Sequence, residues 1–257
     1  MNKLLLIALI TFTVFINQSL KAQWSSAVMS SGRRSLAAGA AGNKAVLAGG
    51  LGAISIPPAA ADVYDATTNG WSPANISHGR TSLVGAGIGK RIFFAGGADA
   101  NILLILDNID IYNVATNTWS TFNLTVARAK LAAASAGSKV LFAGGENDGI
   151  GQSYNTVDIY DSANSSWTTS VLSVARYDLA GAGTDNKIVF AGGSNLAGTK
   201  FSTVDIYNSS SGSWSTANLS KARSNCVAAG ANNKILIGGG IDGSGVASKV
   251  VDIYDVV

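Results

Sequence analysis

The chain predicts an all-β fold of repeated four-stranded antiparallel sheets, and three observations carry that expectation. A phrase of roughly 47 residues returns five times, which marks stacked supersecondary units that cannot bury their apolar faces alone. Each return holds an apolar run ending in a glycine doublet, at Gly49-Gly50, Gly96-Gly97, Gly144-Gly145, Gly192-Gly193 and Gly239-Gly240. Each also holds a tyrosine (Tyr64, Tyr112, Tyr160, Tyr207, Tyr254), and the first four are followed seven positions later by Trp71, Trp119, Trp167 and Trp214.

Residues 1–22 stand apart from the repeats. Met1-Asn2-Lys3 is a short basic start, Leu4 to Ile16 is apolar, and a polar stretch ends in the small residue Ala22. That order predicts a cleaved secretory signal peptide, and hence a secreted or periplasmic protein. No later segment is long and apolar enough to predict a membrane span. The leader carries Lys3 and Lys21 and no acid, so the formal charge of +3 becomes +3 − 2 = +1 after cleavage. A near-neutral chain gives no electrostatic case for nucleic acid or an anionic membrane. Residues 23–257 run through the repeats without a linker and are expected to form one domain, a monomer.

The third repeat shows the strands most plainly. Leu131-Ala132-Ala133-Ala134 predicts a short inner strand, Gly137-Ser138 a tight turn, and Lys139 to Ala143 a strand buried on both faces. Gly42-Asn43, Gly89-Lys90, Asp185-Asn186 and Asn232-Asn233 are the equivalent turns; such pairs suit two-residue hairpins. A loop that differs in every repeat follows the doublet. Val157-Asp158-Ile159-Tyr160 then alternates with the two-residue period of a strand, and Trp167 to Val171 forms the fourth. Four antiparallel strands per repeat make one blade of a β-propeller, here with five blades. The fifth repeat stops at Val257 without a tryptophan, whereas Trp24 lies 47 residues before Trp71 and belongs to no preceding repeat. Residues 23–29 are therefore expected to supply the outer strand of the last blade beside residues 250–256, closing the ring and covering its edges.

On these residues the chain resembles the kelch repeat family: an apolar run into Gly-Gly, then a tyrosine, six residues and a tryptophan. The resemblance spans essentially all of residues 23–257 and implies a five-bladed kelch-type propeller. In some kelch propellers, arginines at the position of Arg33, Arg80, Arg128, Arg176 and Arg223 bind acidic peptide segments. Bacterial kelch-like proteins also include sugar-acid mutarotases and epimerases. The copper site of the galactose-oxidase-like members needs two histidines and a tyrosine-linked cysteine, and matches nothing here.

Residue chemistry narrows the function further. His78 is the only histidine and Cys226 the only cysteine, so histidine dyads and His/Cys metal clusters are excluded and no cofactor is expected. His78 is expected to be solvated, and Cys226, in the slot of Leu131 and Leu179, to act as a small hydrophobe. The five arginines just before each inner strand are expected to ring one mouth of the central channel as an anion-binding site, because guanidinium forks suit carboxylates and phosphates. The equally periodic Asp62, Asp110, Asp158, Asp205 and Asp252 could instead pair with them. A second ring (Lys44, Arg91, Lys139, Lys187, Lys234) is expected to be solvated on the opposite face. Asn75, Asn123 and Asn218 begin glycosylation sequons that matter only in a glycosylating host.

The expected function is a binding module that recognises a protein, peptide or glycan, anionic ligands included, through the channel mouth and the variable loops 51–61, 98–108, 146–156, 194–203 and 241–250. The alternatives are a mutarotase- or epimerase-like enzyme using Glu146, Asp148 or Asp178 as acid or base, or a surface adhesion component.

Overall fold

The computed structural model describes residues 24–53, 56–99 and 104–256, so the leader lies outside the described residues. The fold is all-β and propeller-like. The first sheet is built from Ala37–Ala41, Lys44–Ala48, Ala60–Asp65 and Gly70–Asn75. Each strand pairs antiparallel with the next, in sequence order. The second sheet repeats this with Val84–Ile88, Arg91–Ala95, Asn108–Asn113 and Thr118–Asn123. The third uses Ala132–Ala136, Lys139–Ala143, Thr156–Asp161 and Ser166–Val171, and the fourth Ala180–Thr184, Lys187–Ala191, Thr203–Asn208 and Trp214–Asn218. The fifth has three strands, Val227–Ala231, Lys234–Gly238 and Val251–Asp255.

Local sequence sets these boundaries. The first two strands of every sheet join through two-residue turns whose leading residue is left-handed: Gly42, Gly89, Gly137, Asp185 and Asn232 all have φ between 50° and 58°. Glycine, asparagine and aspartate tolerate that region best. Tyrosine and tryptophan then face each other across the third and fourth strands, with Tyr64, Tyr112, Tyr160 and Tyr207 in register with Trp71, Trp119, Trp167 and Trp214. Their ring centroids lie 5.0–5.1 Å apart, the tilted packing that aromatic quadrupoles favour.

The core lies between sheets. Four apolar clusters join first to second, second to third, third to fourth and fourth to fifth sheets. In each, residues such as Phe94, Phe142 and Phe190 in the second strand pack on the neighbouring sheet and are fully buried. At the axis the inner strands come within backbone contact. A β-carbon on Gly87 would sit 1.9 Å from the Ala40 carbonyl oxygen, and one on Gly183 2.2 Å from that of Ser135. Alanine and glycine therefore dominate the inner strands because a larger side chain would force the sheets apart. All five inner strands line one axial cavity of about 340 Å³, walled by Leu83, Leu131, Leu179 and small residues.

Closure by the N-terminal strand is corrected by the structure. Residues 24–29 form no strand, Trp24 is 99% exposed, and the outer edge of Val251–Asp255 has no partner among the described residues. The segment instead stands against the first sheet, where residues 25–29 share a cavity wall with Leu47, Tyr64 and Trp71. The Ser30 N–H donates to Asp62 at 2.8 Å, as the Ser77 N–H does to Asp110 in the next sheet. The segment is thus seated on its own sheet, but the fifth sheet does not reach it. The outward face of the fifth sheet is left uncovered. Ile253 there is 62% exposed, while its equivalent Ile206 in the fourth sheet is 6% exposed.

Substituting Gly87→Ala should therefore destabilise the chain by about 1–3 kcal/mol, the usual cost of overpacking. Gly89→Ala, whose β-carbon meets nothing within 4 Å although its φ is +56°, should cost less. Urea melts of the two variants check the order.

Candidate functional site

The link entering each sheet lies beside the start of the loop that follows the glycine doublet. Bridges Arg34↔Leu51, Thr81↔Ala98, Ala129↔Glu146 and Tyr177↔Ser194 join them, and Arg223–Ser224 pairs with Ile241–Asp242. The five links, the variable loops and one end of the axial cavity therefore share a face.

The five arginines do not open onto it, which corrects the expected anion ring in favour of the alternative read from sequence, pairing with the equally periodic aspartates. The side chains of Arg33, Arg80, Arg128, Arg176 and Arg223 are completely buried. Each reaches past the second strand to an aspartate on the third: Arg80 to Asp110 at 2.7 Å, Arg128 to Asp158 at 2.8 Å, Arg176 to Asp205 at 2.7 Å, Arg223 to Asp252 at 2.6 Å, and Arg33 to Asp62. The same guanidinium nitrogen donates to a second-strand carbonyl, of Phe94, Phe142, Phe190 or Ile237, at 3.0–3.2 Å. The other aspartate oxygen accepts the N–H of the link, from Ser30, Ser77, Thr125, Ser173 or Ser220. Burial pulls Arg128 and Arg176 below the ordinary guanidinium range, against the opposing pull of Asp158 and Asp205. Five-fold repetition of this unit marks it as architecture. In sequence, arginine and aspartate were both visible as periodic; the inward direction of the arginines was not.

Four members of the second ring are also held by side-chain partners. Lys44, Lys139 and Lys234 pair across strands with Asp65, Asp161 and Asp255. Lys139, with the Ala163 N–H, holds the Asp161 carboxyl at about 2. Where the repeat substitutes Asn113 for that aspartate, Arg91 crosses to the third sheet, donates to the Tyr160 hydroxyl and lies 5.5 Å from its ring centre. His78 is exposed beside Ser77, and burial raises the thiol of Cys226, which lines the axial cavity.

The mouth itself is built by Ser35, Ser82, Lys130, Asp178 and Asn225, two residues beyond each arginine, all left-handed at φ 52–56°. This conformation serves the backbone: Lys130 N–H donates to the Ser82 carbonyl, Asp178 to Lys130 and Asn225 to Asp178, at 2.9–3.1 Å. Neighbouring sheets are thereby laced together around the axis. The side chains have no such repeated duty, and here the symmetry breaks. The Lys130 ammonium pairs with Glu146, which is buried at the start of the third loop, and lies 5.2 Å from the Tyr177 ring centre. Burial raises the Asp178 carboxyl, against the pull of Lys130, Asn225 and Lys200. Burial alone would depress Lys130, but Glu146 and Asp178 outweigh it and its affinity for the proton is raised.

Of the three acids named from sequence, Glu146 pairs with Lys130 and Asp178 lies within its electrostatic reach, while Asp148 stands farther out on a loop. Lys130 and Tyr177 escaped the sequence reading. The signal that could have found them is departure from the repeat, since Lys130 and Asp178 stand where other repeats carry serine or asparagine. Among the described residues no group of three or more histidine, cysteine or carboxylate side chains is placed to hold a metal.

No protein-family model matches the chain, and no curated protein matches it. A solved structure of the protein YjhT superposes with a TM-score of 0.67 at 16% sequence identity, covering 86% of this chain and 81% of that one. At that identity the likeness speaks to the fold alone, an all-β propeller-like arrangement of four-stranded sheets.

Replacing Arg128 by alanine strands Asp158 in the core and should cost about 3–5 kcal/mol. The pair Arg128→Met with Asp158→Leu should recover most of that in a urea melt. Asp178 behaves oppositely. Its raised carboxyl opposes folding once ionised, a cost absent below the unfolded value near 3.9 and complete only above the higher folded value. Asp178→Asn should therefore raise the melting temperature at pH 7, and the gain should vanish as the pH falls below about 4.

Proposed function

We propose that the chain is an exported kelch-type recognition module that binds a peptide or glycan on the loop-bearing face, seated over Lys130, Tyr177 and Asp178. The carrying observation is the break in symmetry: at positions that share one left-handed backbone conformation in each repeat, a lysine and an aspartate from neighbouring sheets lie within electrostatic reach, with a buried carboxylate paired to the lysine. Such convergence of cation, carboxylate, amide and aromatic ring beside a concavity is how polar ligands are oriented. The ligand contacts are the exposed part of the Lys130 ammonium, the Asp178 carboxylate and the edge of Tyr177, while Glu146 positions the ammonium. The leucines and alanines below accept an apolar group at the axial cavity.

A second reading, acid–base chemistry on a sugar, is favoured by one observation. Asp178 holds its proton more tightly than an ordinary carboxylate, as a general acid requires.

Glycan and peptide arrays probed with the chain, followed by titration of the best ligand against Lys130→Ala and Tyr177→Ala, test the proposal. Each variant should weaken binding about tenfold, the equivalent of one charge-assisted contact. Unchanged affinity in both would remove the mouth as the site. Turnover of a reducing sugar that Asp178→Asn abolishes would decide for the enzyme.

A further inference from the structure

Each internal interface of the molecule joins the same two half-surfaces. The third sheet, for example, presents Leu141, Val157 and Ile159, and the fourth meets them with Phe190, Tyr207 and Trp214. At the two ends of the array each half-surface stands without the other. The fifth sheet presents Leu236, Val251 and Ile253, the counterparts of the first three. Val251 is 54% exposed, whereas Val157 is fully buried. The first sheet presents Leu47, Tyr64 and Trp71, the counterparts of the second three, and Trp71 is exposed. None of the four apolar clusters joins the fifth sheet to the first.

The first sheet also carries a strand-length segment that is not its own. Residues 24–29 stand where the fourth strand of a preceding sheet belongs. The Ser30 bond to Asp62 repeats the one that Ser77, just past the fourth strand of the first sheet, makes to Asp110 of the second. Ala27 shares a cavity of about 470 Å³ with Leu47 and Trp71. Its counterpart Phe122 stacks on Trp167 of the next sheet at 4.7 Å. The fifth sheet has the reverse deficit, three strands and no fourth among the described residues. Asp252 is correspondingly less buried than Asp158 or Asp205.

We infer that the fifth sheet of one copy seats on the first sheet of a second copy, head to tail, and takes residues 24–29 of that copy as its fourth strand. Both half-surfaces belong to this chain and fit each other four times within it, which identifies the occupant as another copy rather than a foreign protein. The register of Tyr207 with Trp214 and Val204 with Ala217 then sets Tyr254 opposite Trp24 and Val251 opposite Ala27. The open edge of the fifth sheet gains main-chain partners, as in strand addition. The contact is heterologous, so each copy retains one half-surface at either end and assembly proceeds beyond the dimer unless it closes. This assembly replaces the monomer expected from sequence.

Sedimentation velocity of the exported chain over about 1–100 μM tests it, a range suited to an interface of one pair of sheets. The average sedimentation coefficient should rise with concentration. A constant monomer value overturns the inference, because the two faces would then be idle or closed within one chain. Ile253→Lys disables the fifth-sheet face and Trp24→Ala the receiving segment. Both positions are exposed and outside the mouth, so the melt of the dilute chain should not change. Each variant alone should associate at least about tenfold more weakly. Mixed in equal amounts, the two should form a one-to-one dimer that grows no further, because one keeps the receiving sheet and the other keeps the fifth-sheet face. Wild-type assembly by either variant, or a mixture that stays monomeric, overturns the inference.

Discussion

Every sheet of this molecule is fastened to the link that enters it by one buried ion pair. An arginine leaves the incoming link, passes under the second strand and meets an aspartate on the third. That aspartate also accepts the N–H of the link itself. Three segments distant in sequence are so held by one carboxylate. Buried ion pairs contribute little net stability when weighed against apolar replacements, because desolvation cancels most of the attraction. Their contribution here is geometric. A guanidinium fork with a carboxylate and a carbonyl as partners accepts one arrangement of link, strand and strand, so each repeat is set at the same register and angle.

The apolar contacts then complete what the ion pair orients. The aromatic second-strand residues fill the space between sheets, and the tyrosine and tryptophan pairs close the outer rim. At the axis, glycine and alanine allow backbones to meet. The close approach there holds the inner strands of neighbouring sheets together.

Much of this was legible in the sequence because it repeats. Strand order, the two-residue turns and the facing of Tyr160 by Trp167 all follow from period and alternation. Two expectations failed for a physical reason that periodicity cannot express. The arginines recur as a surface ring would, yet recurrence says nothing of whether a side chain points toward the axis or into the sheet; Asp158 on the third strand draws Arg128 inward. Trp24 has the spacing of an outer-strand residue, but spacing does not say whether the sheet that would receive it lies within reach. The mouth was half legible. Glu146 and Asp178 were visible as acids near the links, while Lys130 gains its meaning only when the fold places it between them.

The left-handed residues around the mouth carry a consequence for how such a protein changes. Ser35, Ser82, Lys130, Asp178 and Asn225 share one backbone conformation, and at the last four the main chain also forms the lacing between sheets. Their side chains are thereby released from architectural duty. Selection is free to exchange them singly, rewriting the chemistry at the centre of the face while the scaffold beneath stays constant. A repeated frame of this kind separates the inheritance of shape from the invention of specificity.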